Sequence, residues 1–126
     1  MPVATPVISI VDDDLSVREA TRGLMKSLGY DAATFESAED FLHSRQRSRT
    51  ACLIADINLP GISGIELHRQ LMTSGDLVPT ILITAYPDDR ARDRALHDGV
   101  ICYLSKPFDE TDLLSCINSV LTSGHC

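Results

Sequence analysis

The chain has 126 residues, 44% of them hydrophobic and 23% charged, with 18 acidic against 11 basic side chains and a formal net charge of -7. This length suits one domain, expected over residues 1–126 with no second domain, and such a chain buries about two-thirds of its unfolded surface without a metal or disulfide staple. The acidic balance argues against a general nucleic-acid-binding surface, because phosphate backbones are held by clustered Lys and Arg.

The N-terminus, Met1 to Pro6, lacks the basic and apolar regions of a secretory signal. No apolar run approaches the roughly 18 residues that span a bilayer, so the expected location is the cytoplasm without membrane contact. Val7 to Val11 is a short, largely β-branched run, as in a strand buried on both faces of a parallel sheet. A first helix follows, with Val17, Ala20, Leu24 and Leu28 on one face and Gly29 just past its end. Asp14 is expected to start it, favoured by the helix dipole. Asp31 to Phe35 is a weaker strand, suited to an edge. The second helix opens with Ser37 and Asp40 in a capping-box-like arrangement and buries Phe41 and Leu42. Arg45, Arg47 and Arg49 are expected to form a solvated helix end rather than a nucleic-acid contact.

Ala51 to Ala55 is the third strand, and Ser63 with Glu66 forms the capping box of a third helix carrying Leu67 and Leu71. Thr80 to Ile83 is the fourth strand. The fourth helix, about Asp88 to His97, is the most polar, with only Ala91, Ala95 and Leu96 to pack. Ile101 to Leu104 is the fifth strand. The last helix begins at Asp109 and places Leu113, Leu114, Ile117, Val120 and Leu121 on one face. Five strands alternating with five helices predict an α/β domain with a flavodoxin-like (βα)5 doubly wound parallel sheet, strand order 2-1-3-4-5. Cys52, Cys102 and Cys116 lie in apolar stretches and are expected to be buried free thiols rather than disulfide or zinc ligands. Cys126 is expected to be an exposed free thiol. The histidines at 43, 68, 97 and 125 are expected to be solvated.

In such folds ligands bind beyond the carboxyl ends of the strands. There the sequence places Asp12, Asp13 and Asp14 after strand one, Asp56 and then Asn58 after strand three, Thr84 and Ala85 after strand four, and Ser105 and Lys106 after strand five. Carboxylates so clustered would repel without a cation. Hard oxygen ligands with room for waters suit Mg²⁺, and Mn²⁺ could substitute. Pro60, Gly61 and Gly64 are expected to curl the strand-three turn around the site.

The segments IVDDD, LIADINLPGISG, LITA and YLSKPF together resemble the receiver domains of two-component response regulators, over about Val7 to Leu121. IVDDD followed by VR, and KPF near the end, look most like FixJ-type receivers. The resemblance implies a phospho-accepting switch that catalyses only its own phosphorylation and dephosphorylation, not an enzyme. Asp56 would be the phospho-acceptor for a phosphohistidine on a sensor histidine kinase. Asp13 would ligate Mg²⁺, Asp12 would do so directly or through water, and the Asn58 backbone carbonyl would complete the protein ligands with Asp56. Lys106 would pair first with the carboxylate and then with a phosphoryl oxygen, and the Ala85 backbone N–H would bind another. A cis bond between Lys106 and Pro107 would orient the Lys head. Phosphorylation adds about -1.5 to -2 charges, which would draw the Thr84 hydroxyl inward, and the resemblance implies that Tyr103 would follow. The readout face would be helix four, strand five and helix five, acting on an output domain, a downstream protein or a second copy in a phosphorylation-dependent homodimer. No direct nucleic acid contact by this domain is expected.

Three other readings of the same residues differ in class. A receiver could act unphosphorylated as a docking module. A haloacid-dehalogenase-like magnesium phosphohydrolase would want an acid–base Asp two residues after its nucleophile, where this chain has Asn58. A flavin or nucleotide binder would want a Gly-, Ser- or Thr-rich loop after strand one, where this chain has carboxylates.

Overall fold

The computed structural model describes residues 6–123. Met1 to Thr5 and Gly124 to Cys126, and the expectations placed on them, lie outside the described residues. The elements run β1 (Val7–Val11), α1 (Leu15–Ser27), β2 (Asp31–Phe35), α2 (Ala38–Leu42), a 3₁₀ turn (Arg45–Arg49), β3 (Thr50–Asp56), α3 (Gly64–Thr73), β4 (Thr80–Thr84), α4 (Asp89–His97), β5 (Cys102–Ser105) and α5 (Glu110–Ser123). All strand pairs are parallel, in the order β2-β1-β3-β4-β5. The predicted architecture therefore holds.

Strand alternation divides the core between two faces. Ile8, Ile10, Cys52, Ile54, Ile81 and Ile83 pack with Met25 of α1 and Leu113, Ile117 and Val120 of α5. Val11, Leu53, Ala55 and Leu82 pack with Ala38 and Phe41 of α2, Leu67 and Leu71 of α3, and Ala95 of α4. Burying strands on both faces removes water from the whole middle of the sheet, which makes the carboxyl-end loops the place where polar side chains can gather.

The expected helix starts are present. Asp14 caps α1, its side chain accepting from the Ser16 and Val17 amides. Ser37 caps α2 by accepting from the Asp40 amide, and Ser63 caps α3 by accepting from the Glu66 amide. In α4 only Ala95 is buried, in keeping with its polar sequence.

Four expectations need correction. The inward face of α1 is set by Arg18, Thr21 and Met25, whereas Ala20 and Leu28 are exposed. The apolar stripe misled because Arg18 is buried through a polar contact, described below. His68 is 5% exposed rather than solvated; α3 turns it towards the sheet beside Leu67 and Leu71. Arg47 is not simply solvated: its guanidinium clamps Asp76 at 2.8 Å and donates to the Leu42 carbonyl at 3.3 Å. Finally, Cys102 and Cys116 are joined as a disulfide, with Cα atoms 6.2 Å apart. The strand residue and the helix residue that packs over it meet through the crossover, a contact no short sequence spacing announces. Among the described residues Cys52 is the free cysteine, and it is buried as expected.

Candidate functional site

The turn after β1 is tied down from three sides. The Asp12 amide donates to the Phe35 carbonyl at 3.1 Å, extending the β1–β2 pairing one residue past the strand. Asp12 Oδ1 accepts from the Asp14 amide at 2.9 Å. The Asp12 carbonyl accepts from Arg18 Nη1 at 2.8 Å, so α1 returns a buried guanidinium to the loop that starts it. Asp12 is thereby held fully buried, with Asp13 exposed beside it.

β3 ends on Asp56, which is 5% exposed and lies opposite Ile83 of β4. Its Oδ1 accepts from the Asn58 amide at 2.8 Å, and its Oδ2 accepts from Lys106 Nζ at 2.8 Å. Lys106 Nζ also lies 2.9 Å from Asp12 Oδ2. One ammonium group from the loop after β5 thus bridges the carboxylates that end β1 and β3. The Lys106–Pro107 peptide bond is cis. A close backbone approach completes the pocket: a Cβ on Gly64, the first residue of α3, would sit 2.5 Å from the Asp56 carbonyl oxygen.

Carboxylate oxygens of Asp12, Asp13 and Asp56 lie within 4.8 Å of one another. Asp12 Oδ2 is buried and, although paired in charge with Lys106, has no aligned hydrogen bond. Burial pushes the Asp12 carboxyl above its ordinary value, with its backbone hydrogen bond and Lys106 opposing the shift only in part. For Lys106, burial is the largest single influence and disfavours the charge, yet the combined hydrogen bonds and charges of Asp56 and Asp12 hold the ammonium above its ordinary value. The two groups respond differently because Asp12 is fully buried, while Lys106 keeps some solvent and faces two carboxylates. An all-oxygen, acidic set with a buried oxygen lacking an aligned donor fits a hard divalent cation such as Mg²⁺.

Thr84 ends β4 and is buried; its hydroxyl donates to the Asn58 side-chain carbonyl at 2.8 Å and accepts from the Tyr86 amide at 3.0 Å. Ala85, next in the chain, is exposed. Tyr103 is half-buried against the α2–α3–α4 core, and its hydroxyl accepts from the Asp88 amide, at the N-cap of α4, at 3.3 Å. The structure therefore brings Asp12, Asp13, Asp56 and Lys106 to one pocket. It places Thr84 at the side of that pocket through Asn58, with Tyr103 farther out at α4. Sequence reading missed two participants, Arg18 and the Asn58 side chain. Arg18 lies beside the Val17–Ala20–Leu24 stripe rather than on it, so its spacing reads as a surface position.

The family model described as the response regulator receiver domain matches residues 8–118. The response regulator protein TodT of Pseudomonas putida is 38% identical over 115 residues, covering 91% of this chain and 51% of that protein. The transcriptional regulatory protein FixJ of Azorhizobium caulinodans is 32% identical over 121 residues, covering 96% of this chain and 57% of that protein. Among solved structures, the response regulator StyR is 43% identical with a TM-score of 0.87, covering 94% of this chain and 60% of that one. The chain spans about half the length of the curated relatives it matches.

Proposed function

Since the chain belongs to the response regulator receiver domain family of two-component signalling, we propose that it is a switch that accepts a phosphoryl group from a sensor histidine kinase onto Asp56. The observation that carries this reading is the bridge from Lys106 to Asp56 Oδ2 at 2.8 Å and to Asp12 Oδ2 at 2.9 Å. It draws Asp56, Asp12 and an ammonium together from three strand ends, which supports Asp56 as nucleophile beside its countercharge.

In the proposed reaction an Asp56 carboxylate oxygen attacks phosphorus. The phosphorus–nitrogen bond to the kinase histidine breaks, and its electron pair returns to the imidazole. Phosphoryl transfer through a loose transition state asks mainly for positioning and charge stabilisation. Asp12, Asp13, Asp56 and the Asn58 backbone carbonyl would hold Mg²⁺, which when bound neutralises charge on the phosphoryl oxygens. The Asn58 amide fixes the rotamer of Asp56 through Oδ1. Lys106 keeps its positive charge at neutral pH, so it can leave the carboxylate for a phosphoryl oxygen without changing protonation. The Ala85 N–H would take a further phosphoryl oxygen.

The switch would follow as Thr84 moves from Asn58 to the phosphoryl group and Tyr103 leaves the Asp88 amide. The α4–β5–α5 face would then carry the signal to an output domain, a downstream protein or a second copy. An apolar groove opens beside Lys106 between α1 and the start of α5, lined by Val17, Ala20, Leu24, Pro107 and Phe108. Among the described residues no helix is long and apolar enough to cross a membrane, and we place the domain in the cytoplasm.

The test is exposure to a small acyl phosphate donor with and without Mg²⁺. Metal-dependent labelling that disappears in Asp56→Asn is expected. Labelling that persists in that variant, or that ignores the metal, rules the reading out.

A further inference from the structure

Cys102 opens β5 and points to the α1–α5 side of the sheet, whereas the next residue, Tyr103, points to the α4 side. Cys116 lies in the middle of α5, one residue before the fully buried Ile117 and on the same inward stripe as Leu113 and Val120. Strand and helix thus bring two sulfurs together at a Cα separation of 6.2 Å, a span that a disulfide closes without moving the backbone.

We propose that Cys102 and Cys116 form a reversible modification site for low-molecular-weight disulfides such as oxidised glutathione, and that closing it fixes β5 to α5. Its bearing on signalling rests on the proposed function above, in which this face is the readout surface.

Access sets the order of events. Cys102 is half-buried and Cys116 is 8% exposed, so a small disulfide reaches Cys102 first. The Cys102 thiolate attacks one sulfur of the oxidant, whose sulfur–sulfur bond breaks, and one small thiol leaves and takes a proton. The Cys116 thiolate then attacks the Cys102 sulfur of the mixed disulfide and expels the second small thiol. The sum is two protein thiols and one small disulfide giving one protein disulfide and two small thiols. The structure holds the product state. In a reducing cytosol the same pair rests as thiols, because soluble thiols outcompete ordinary disulfides there.

Cys52 supplies the internal contrast. It is completely buried in β3, and burial pushes its thiol up to about 12, so it carries almost no thiolate near neutrality. Cys102 is therefore the thiol a small oxidant can reach, with Cys116 behind it and Cys52 out of reach. The location of the pair gives it leverage, since Cys102 is covalently adjacent to the tyrosine whose hydroxyl accepts from the α4 N-cap amide.

The experiment uses the full chain with Cys126→Ser, incubated in mixtures of oxidised and reduced glutathione, alkylated, digested and read by mass spectrometry. A Cys102–Cys116 linked peptide is expected that excess reduced glutathione dissolves, with Cys52 alkylated only after unfolding. Amide exchange over residues 110–121 of the unphosphorylated chain should slow by about tenfold on linking. In Cys116→Ala, oxidised glutathione should stop at an adduct on Cys102 and leave exchange unchanged. Cys102→Ser serves as the second variant should Cys116→Ala fail to fold. Absence of the link in the folded chain, or a link without slower exchange, overturns the proposal. Neither measurement uses phosphorylation, so failure of acceptor labelling at Asp56 would count against the proposed function and not against this site.

Discussion

The Thr84 hydroxyl spends its proton on the Asn58 side chain, so it cannot turn towards Asp56 without giving up that bond. A hydrogen bond of this kind contributes about 1 kcal/mol net. Asn58→Ala should remove the restraint while keeping the Asn58 amide bond to Asp56 Oδ1. We predict that affinity for a phosphoryl mimic such as beryllofluoride, measured with Mg²⁺ by titration, rises by about fivefold. Unchanged or weaker binding would show that Asn58 does not restrain Thr84.

Gly64→Ala is predicted to destabilise the domain by about 1–3 kcal/mol, as overpacking does. Its added methyl would meet the Asp56 carbonyl oxygen at 2.5 Å, the carbonyl carbon at 3.0 Å and the Ile57 Cα at 3.1 Å, all of them backbone atoms. Relief requires moving Asp56 itself, so under the proposed function the rate of labelling by an acyl phosphate should fall too. A urea midpoint and a labelling rate both equal to wild type would contradict the assigned packing.

Arg18→Met retains much of the buried stem but leaves the Asp12 carbonyl without its donor at 2.8 Å. A loss of about 2 kcal/mol in urea unfolding is expected, the usual cost of orphaning a buried acceptor, together with weaker Mg²⁺ binding. Glu36 lies 3.7 Å from the same guanidinium with its side chain 77% exposed, so Glu36→Gln should change little. Equal effects from the two substitutions would mean that the ion pair, not the carbonyl contact, is what matters.

His68 gives the pH prediction. Burial lowers its pKa below the ordinary 6.5, and the nearby Asp98 charge offsets this in part. The unfolded chain then binds more protons than the folded one just below 6.5, so stability falls as the solution is acidified through 6.5 towards the folded-state value. His68→Gln should flatten that part of the curve when unfolding is measured from about pH 7.5 to about pH 5.5. A slope identical to wild type would place the sensitivity elsewhere.

Most of the architecture was readable because it depends on local signals. The β-branched runs marked the buried strands, and Asp14, Ser37 and Ser63 announced the helix starts they cap. The acid pocket was readable too, since a parallel sheet sends every strand's carboxyl end to the same side. What escaped was decided by side-chain direction across elements. Arg18 reads as surface until its guanidinium is seen on the Asp12 carbonyl, and His68 reads as solvent-facing until α3 is docked. The Cys102–Cys116 contact depends on how α5 lies over β5, which no spacing of residues encodes.

The ammonium bridge between the ends of β1 and β3 is contributed by a loop near the far end of the chain. During synthesis Asp12 and Asp56 emerge before Lys106, and until β5 docks they lack its countercharge. A chain in which β5 is not docked therefore holds Asp12 and Asp56 without the ammonium that bridges them. The charge balance of the pocket is therefore set by the docking of β5 rather than by the strands that carry the acids.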